Sequence, residues 1–308
     1  FCNIKTGKIA SLIYSFCNVD LEMCHDLVYD INVRNLSNAV RWGAILIETK
    51  IDNEISRATA VESEDREDID FIKDKLVPGY DFFENDSDAY EDISPKSHGT
   101  FLASVIVDCT RNLPVKIMPV RILDLEEASL INAINGIRYA ADNGADVINI
   151  SLGAVLSKCN ALEDAINYAT EKNISVVVCA GNLKIDIKNF CPAHIEDVIT
   201  VSSVNQNNEF SEIFSNYGDN IDLAAPGENI IGYNASGELT TLYGTSVSAA
   251  FVSAAAAMYR LDNQGCTAKQ VQDSLNEYAE DFGDEGWDNK YGWGVIRLGN
   301  IPVSNPIP

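Results

Sequence analysis

Ser246 stands in Tyr243-Gly244-Thr245-Ser246-Val247-Ser248-Ala249-Ala250, a glycine turn that runs into the small-residue stretch 251–258. A serine just past such a turn sits at the start of a helix, where the dipole and the free N–H groups favour developing negative charge. Taken alone, the pattern is better read as a Ser or Thr cap on a buried helix. His98 lies in a second turn of this kind, Ser97-His98-Gly99-Thr100, ahead of the apolar helical stretch 101–107. Only three histidines occur, the others being His25 and His194, and a histidine held at a helix start suits a general base. The third element is Val176-Val177-Val178-Cys179-Ala180-Gly181-Asn182, a buried strand whose end delivers an amide donor that can stabilise an oxyanion.

Positioning these groups requires a regular frame, and the chain carries one. From about residue 42 onward, strand-like apolar runs alternate with helix-like periodic segments. Residues 44–47 (AILI), 115–123 (VKIMPVRIL), 146–152 (DVINISL), 174–179 and 198–204 read as strands. Leu130, Ile134, Ile137 and Ala141 mark a helix that Gly144 stops. Asn160 with Glu163 resembles a capping box, followed by the helical face Leu162, Ala165, Ile166 and Ala169. The alternation predicts an α/β fold with a parallel sheet between two helical layers, and function at the loops beyond the strands' carboxyl ends.

Composition narrows the function. With 22 basic against 46 acidic residues, the formal charge is −24, which excludes nucleic-acid binding by repulsion from phosphate; the charge reads first as a source of solubility, with attraction of basic peptides the alternative. No apolar run is long enough to span a bilayer, and no basic-then-apolar leader follows Phe1. Eight cysteines (Cys2, Cys17, Cys24, Cys109, Cys159, Cys179, Cys191 and Cys266) contain no CxxC pair, which disfavours zinc and permits disulfides. Cys179, inside an apolar run, reads as a buried free thiol.

One domain is the economical reading: an N-terminal extension over 1–41, the main domain over 42–300, and a tail over 301–308. The stretch 62–92 is strongly acidic and reads as a solvated insertion. Its Asp81, Asp86 and Asp88 offer oxygen ligands to calcium but lack EF-hand spacing, so solvated carboxylates are the expectation.

Taken in order, these motifs resemble the subtilisin-like serine peptidases, or subtilases, from about residue 40 to residue 298. His98-Gly99-Thr100, Ala180-Gly181-Asn182 and Gly244-Thr245-Ser246 match the family's histidine, oxyanion and nucleophile motifs. Residues 147–153 (VINISLG), Ala225-Pro226-Gly227 and Tyr291-Gly292-Trp293-Gly294 add support. The resemblance implies a three-layer α/β fold with a mostly parallel sheet of about seven strands. It implies hydrolysis of extended polypeptide through an acyl-enzyme, with Ser246 as nucleophile and His98 as base. Asn182 and the Ser246 N–H would hold the oxyanion, and Ser151-Leu152-Gly153 would pair with the substrate backbone.

The resemblance implies a monomer with no cofactor. Calcium is left open, but the segment from His98 to Val115 is too short for the family's usual calcium loop. Secretion follows by analogy with the family, while the unpatterned cysteines leave a cytoplasmic location open. Asp186 and Glu196 flank the region where the family builds its specificity pocket. Only 47 residues precede Glu48, so the expectation is a prodomain removed elsewhere or a chain that folds without one.

Three positions depart from the pattern: Glu48 stands for the family's aspartate, Lys50 for a glycine, and Ala250 for a proline. Glu48 keeps the charge on a longer side chain. It either completes a Ser/His/Glu triad or spoils the geometry, leaving a peptide-binding pseudoprotease.

Overall fold

The structure, a computed structural model, describes residues 70–89, 98–122, 129–156 and 158–303. Its first half carries α1 (Asp70–Lys73), β1 (Tyr80–Asp81), α2 (His98–Cys109), β2 (Val120–Arg121), α3 (Leu130–Asp142), β3 (Val147–Ile150) and β4 (Ala154–Val155). Then come α4 (Asn160–Glu171), β5 (Ser175–Cys179), β6 (Phe190–Cys191), β7 (Ile199–Val204) and β8 (Leu223–Pro226). The chain closes with β9 (Ile230–Tyr233), β10 (Leu239–Leu242), α5 (Thr245–Asp262) and α6 (Ala268–Tyr278).

The β-branched runs build a parallel sheet in the order β3-β5-β7-β8. Its residues are buried on both faces, so the strands read as continuous apolar runs rather than alternating ones. Alternate side chains still separate. Ile148, Ile150, Val176 and Val178 pack with Ala133, Ile137, Leu162 and Ile166 of α3 and α4. Val147, Val177, Ile199 and Val201 face Ala249, Val252 and Ala256 of α5 and Val271 and Leu275 of α6. A further cluster joins Phe101, Val105 and Ile106 of α2 to Val247, Ala250 and Ala254 of α5. Helix α5 is thus enclosed by the sheet on one side and α2 on the other. Its run of alanines and serines is what lets it approach both.

Several expectations change. The run 115–123 yields only the short β2, paired in parallel with β1, together with a lone bridge from Ile117 to Leu76. Helix α3 begins and ends as its periodicity requires, with Ser129 capping Asn132 N–H and Gly144 beyond its end at φ +88°. Asn160 is not a cap: the flanking residue is Cys159, which gives no side-chain cap because its sulfur bonds Cys191. The true capping box belongs to α6, where Thr267 and Gln270 bond reciprocally.

The acidic stretch is only partly solvated. Asp81 is fully buried, accepts hydrogen bonds from Phe83 N at 2.6 Å and Glu84 N at 3.0 Å, and pairs with Arg121 at 2.8 Å. It locks a turn to the β1–β2 edge. The expected strand at 44–47, the sites at Glu48 and Lys50, and the extension 1–41 lie outside the described residues. Four strands of the main sheet are therefore described, against the expectation of about seven.

Candidate active site

The parallel strands end at Ile150, Cys179, Val204 and Pro226; Ser151 and Asn182 follow two of those ends, and Ser246 is bonded to Ser151. Gly244 precedes α5 at φ +138°, a left-handed conformation that admits glycine, and its N–H donates to Gly227 O at 2.8 Å. Gly227 must also be glycine, because a Cβ there would lie 2.3 Å from Ser203 Oγ and 2.4 Å from Ser248 Oγ. The Ala225-Pro226-Gly227 motif thus seats the first turn of α5.

Thr245 does not cap its own helix. Its hydroxyl accepts from Gly181 N at 2.9 Å and donates to Asn182 Oδ1 at 2.9 Å, while Thr245 N donates to the same oxygen at 2.9 Å. With Oδ1 held twice, the Asn182 amide is fixed and its NH₂ group is turned away from Thr245. The sequence motif singles out Asn182 but carries no signal that Thr245 orients its amide. The capping alternative for this motif falls, since Gly244 is the cap position and no side chain caps α5.

Ser246 is 1% exposed, and its Oγ makes no hydrogen bond. Buried hydroxyls normally find a partner, so an idle one at a helix start marks a group kept ready for a ligand. The Ser246 N–H belongs to the first helical turn, whose N–H groups lack partners within the helix. Ser151 Oγ donates to Ser246 O at 3.2 Å and accepts from Asn149 Nδ2 at 2.9 Å, and Ser253 Oγ donates to Asn149 Oδ1 at 3.0 Å. This buried chain fastens β3 to the nucleophile turn, so the Ser151 side chain is a strut.

His98 opens α2, the helix packed on α5, so both motifs sit at the starts of adjoining helices. His98 is engaged elsewhere, yet its Nε2 is, like Ser246 Oγ, a buried polar atom that makes no hydrogen bond. Leu152 and Gly153 lie between the last β3–β5 pair and the β4–β6 ladder, outside both. A buried hydroxyl without a hydrogen bond, a histidine at the start of an adjoining helix and an oriented amide are groups that acyl transfer uses.

Residues 39–294 match the Subtilase family of peptidases. The chain belongs to the subtilase family. It is 34% identical to thermitase of Thermoactinomyces vulgaris over 221 residues, 69% of this chain and 76% of that protein. A thermophilic serine proteinase of Bacillus sp. (strain AK1) is 34% identical over 229 residues, 71% of this chain. The chain spans 55% of that proteinase's length. Among solved structures, a cold adapted subtilisin-like serine proteinase superposes with a TM-score of 0.64 at 31% identity, covering 73% of this chain and 80% of that one.

Within this subtilase, Cys179 is free and buried beneath the nucleophile turn. Burial pushes its thiol up to about 11, offset in part by the nearby hydroxyls of Thr245 and Ser246. At neutral pH it stays protonated and does not compete with Ser246 as a nucleophile. Of the residues flanking the expected specificity pocket, Asp186 caps the turn at Lys188 N and pairs with Lys188 Nζ at 3.4 Å. Glu196 is exposed. Among the described residues, the one group with metal-ligand spacing is Cys159, Cys191 and His194, and its two sulfurs are joined as a disulfide.

Proposed function

We propose that this subtilase is a serine endopeptidase that cleaves extended polypeptide. The observation that carries the reading is the buried, unbonded Ser246 Oγ beside an Asn182 amide whose orientation Thr245 fixes. Ser246 Oγ attacks the scissile carbonyl carbon while His98 takes its proton, with Glu48 as the third member of the triad by its place in the sequence. The oxyanion that forms is met by Asn182 Nδ2 and the Ser246 N–H. Collapse expels the amine, which leaves with the proton from His98, and water then repeats the cycle on the acyl-enzyme. Residues 151–153 run beside the substrate backbone, with Leu152 and Gly153 offering main-chain groups outside the sheet ladders.

The charge of −24 favours basic substrates, and the protein acts as a monomer. The Cys159–Cys191 disulfide supports an oxidising, secreted setting.

A fluorophosphonate probe tests the reading: Ser246 should be labelled in the folded protein, and Ser246→Ala should remain unlabelled. Folded protein that resists labelling would remove the enzyme and leave the second reading, a peptide-binding pseudoprotease. Glu48→Asp then separates cause from consequence. A large gain in turnover would show that Glu48 impairs the triad, whereas a loss would show that it is fitted to its place.

A further inference from the structure

The first turn of α5 is fastened to the ends of three strands. At the end of β8, Gly227 O accepts from Gly244 N at 2.8 Å and Pro226 O accepts from Ser248 Oγ at 3.3 Å. Beyond β5, Gly181 N donates to Thr245 Oγ1 at 2.9 Å. The tie from β3 is made at Ser246 itself, where Ser151 Oγ donates to Ser246 O at 3.2 Å. Ala250 N is the helical donor to the same oxygen, and a carbonyl with two lone pairs takes both. The bond from Ser151 therefore acts sideways on the residue that carries the hydroxyl.

The Ser151 hydroxyl is itself directed from farther along the same helix. Ser253 Oγ donates to Asn149 Oδ1 at 3.0 Å, and Asn149 Nδ2 donates to Ser151 Oγ at 2.9 Å. Ser246 and Ser253 are about two helical turns apart, on one face of α5. Asn149 and Ser151 alternate along β3 and its continuation, so they share one face of the sheet. The donors thus run one way round a closed ring, from helix to strand and back.

Direction matters because a hydroxyl has a single proton. With Asn149 Nδ2 donating to it, Ser151 Oγ keeps that proton for Ser246 O. A reversed amide would present Oδ1 instead and compete with Ser246 O for it. Ser253, by donating to Oδ1, favours the orientation that leaves the proton on Ser246 O. The ring lies in an otherwise apolar contact: Asn149, Ser151 and Ser253 are buried, among Val147 and Val177 of the sheet and Ala249, Val252 and Ala256 of α5. Polar pairs buried there add little stability over apolar side chains of the same shape, whereas a fully bonded network fixes one placement of strand against helix.

We propose that Ser253 and Asn149 are positioning residues for the Ser246 nucleophile, acting through the Ser151 hydroxyl. The proposal rests on the serine-peptidase reading and deepens it. Misplacing a reacting group by about 1 Å costs about a hundredfold in rate, so a turn loosened by one lost bond should lose about tenfold.

The test uses the full chain and two readouts of Ser246: the second-order rate of fluorophosphonate labelling, and kcat and KM on a fluorogenic peptide. Ser151→Ala should label about tenfold slower, and Ser253→Ala about threefold to tenfold slower, with kcat falling in step and KM within about twofold of wild type. Because both act through one bond, the double variant should be no slower than Ser151→Ala. Circular dichroism and urea unfolding establish that each variant is folded. Should Ser253→Ala not fold, Ser253→Cys, which keeps the volume and weakens the donor, takes its place. A folded Ser253 variant that labels at the wild-type rate overturns the proposal, as does a double variant slowed by the product of the two single effects. A rise in KM at constant kcat also overturns it, since that assigns these residues to substrate binding. Folded wild-type protein that neither labels nor cleaves overturns the serine-peptidase reading, and this inference with it.

Discussion

At the scale of single residues, the site depends on hydrogen bonds that do not themselves touch substrate. Asn182 Oδ1 accepts from both Thr245 N and Thr245 Oγ1, so the donating end of the amide has one orientation. Removing one oxyanion donor costs about 10²–10³ in kcat where such donors have been deleted. Asn182→Ala should therefore lower kcat by that factor with KM little changed, as steady-state kinetics would show. Thr245→Val should lower kcat by a smaller factor, because Thr245 N still holds Oδ1 while the hydroxyl bond is lost. Restoring the hydroxyl alone with Thr245→Ser should recover most of the loss. A Ser variant slower than the Val variant would mean that packing of the methyl group, and not the bond to Asn182, sets the rate.

The scale of elements shows what a sequence makes legible. Strands β5 and β7 and helices α2 and α3 are recognisable because burial on both faces, or on one helical face, is written in neighbouring residues. Ser246, His98 and Asn182 stand out in the sequence because each lies in a short glycine-containing motif at the start of a helix or the end of a strand, and the roles proposed for them rest on the family resemblance. Strand β6 has no such signal: it is two residues long, and its position depends on a ladder to Val155 and a bond across 32 residues. Asp81 was hidden for a similar reason, since its partner Arg121 lies 40 residues away. The Cys159–Cys191 bridge fixes the start of α4 to β6, closing a loop whose entropy the unfolded chain would otherwise regain. By the loop length of 32 this corresponds to about 3.7 kcal/mol. Cys159→Ala should lower the unfolding free energy in urea by that order, and reductant should bring wild type to the same value. A variant as stable as wild type in the absence of reductant would show that β6 is held by its ladder alone.

Across the whole molecule, one buried carboxyl and a large surface charge act on stability in the same direction but by different physics. Asp222 accepts from Thr200 N at 2.7 Å and from Gln272 Nε2 at 2.7 Å, and no cation among the described residues is bonded to it. Burial pushes it from 3.8 up to about 7, against the pull of those two bonds and of Lys269. A raised native pKa means that the folded state holds the proton more tightly than the unfolded one. The stability this confers is fully present below pH about 4, where both states are protonated, and is lost as pH rises through about 7. The net charge of −24 also opposes folding as carboxyls ionise, but salt screens that repulsion, whereas it reaches a buried group far less. Asp222→Asn keeps the shape of the side chain and removes the ionisation together with one of the two accepting oxygens, and the loss of that acceptor does not vary with pH between 4 and 8. Its thermal midpoint relative to wild type should climb between pH 4 and pH 8, and the climb should persist in 0.5 M salt (roughly a 4 Å Debye length). A difference that stays flat with pH would mean that Asp222 ionises freely in the folded protein. A climb that vanishes in salt would assign the effect to surface repulsion instead.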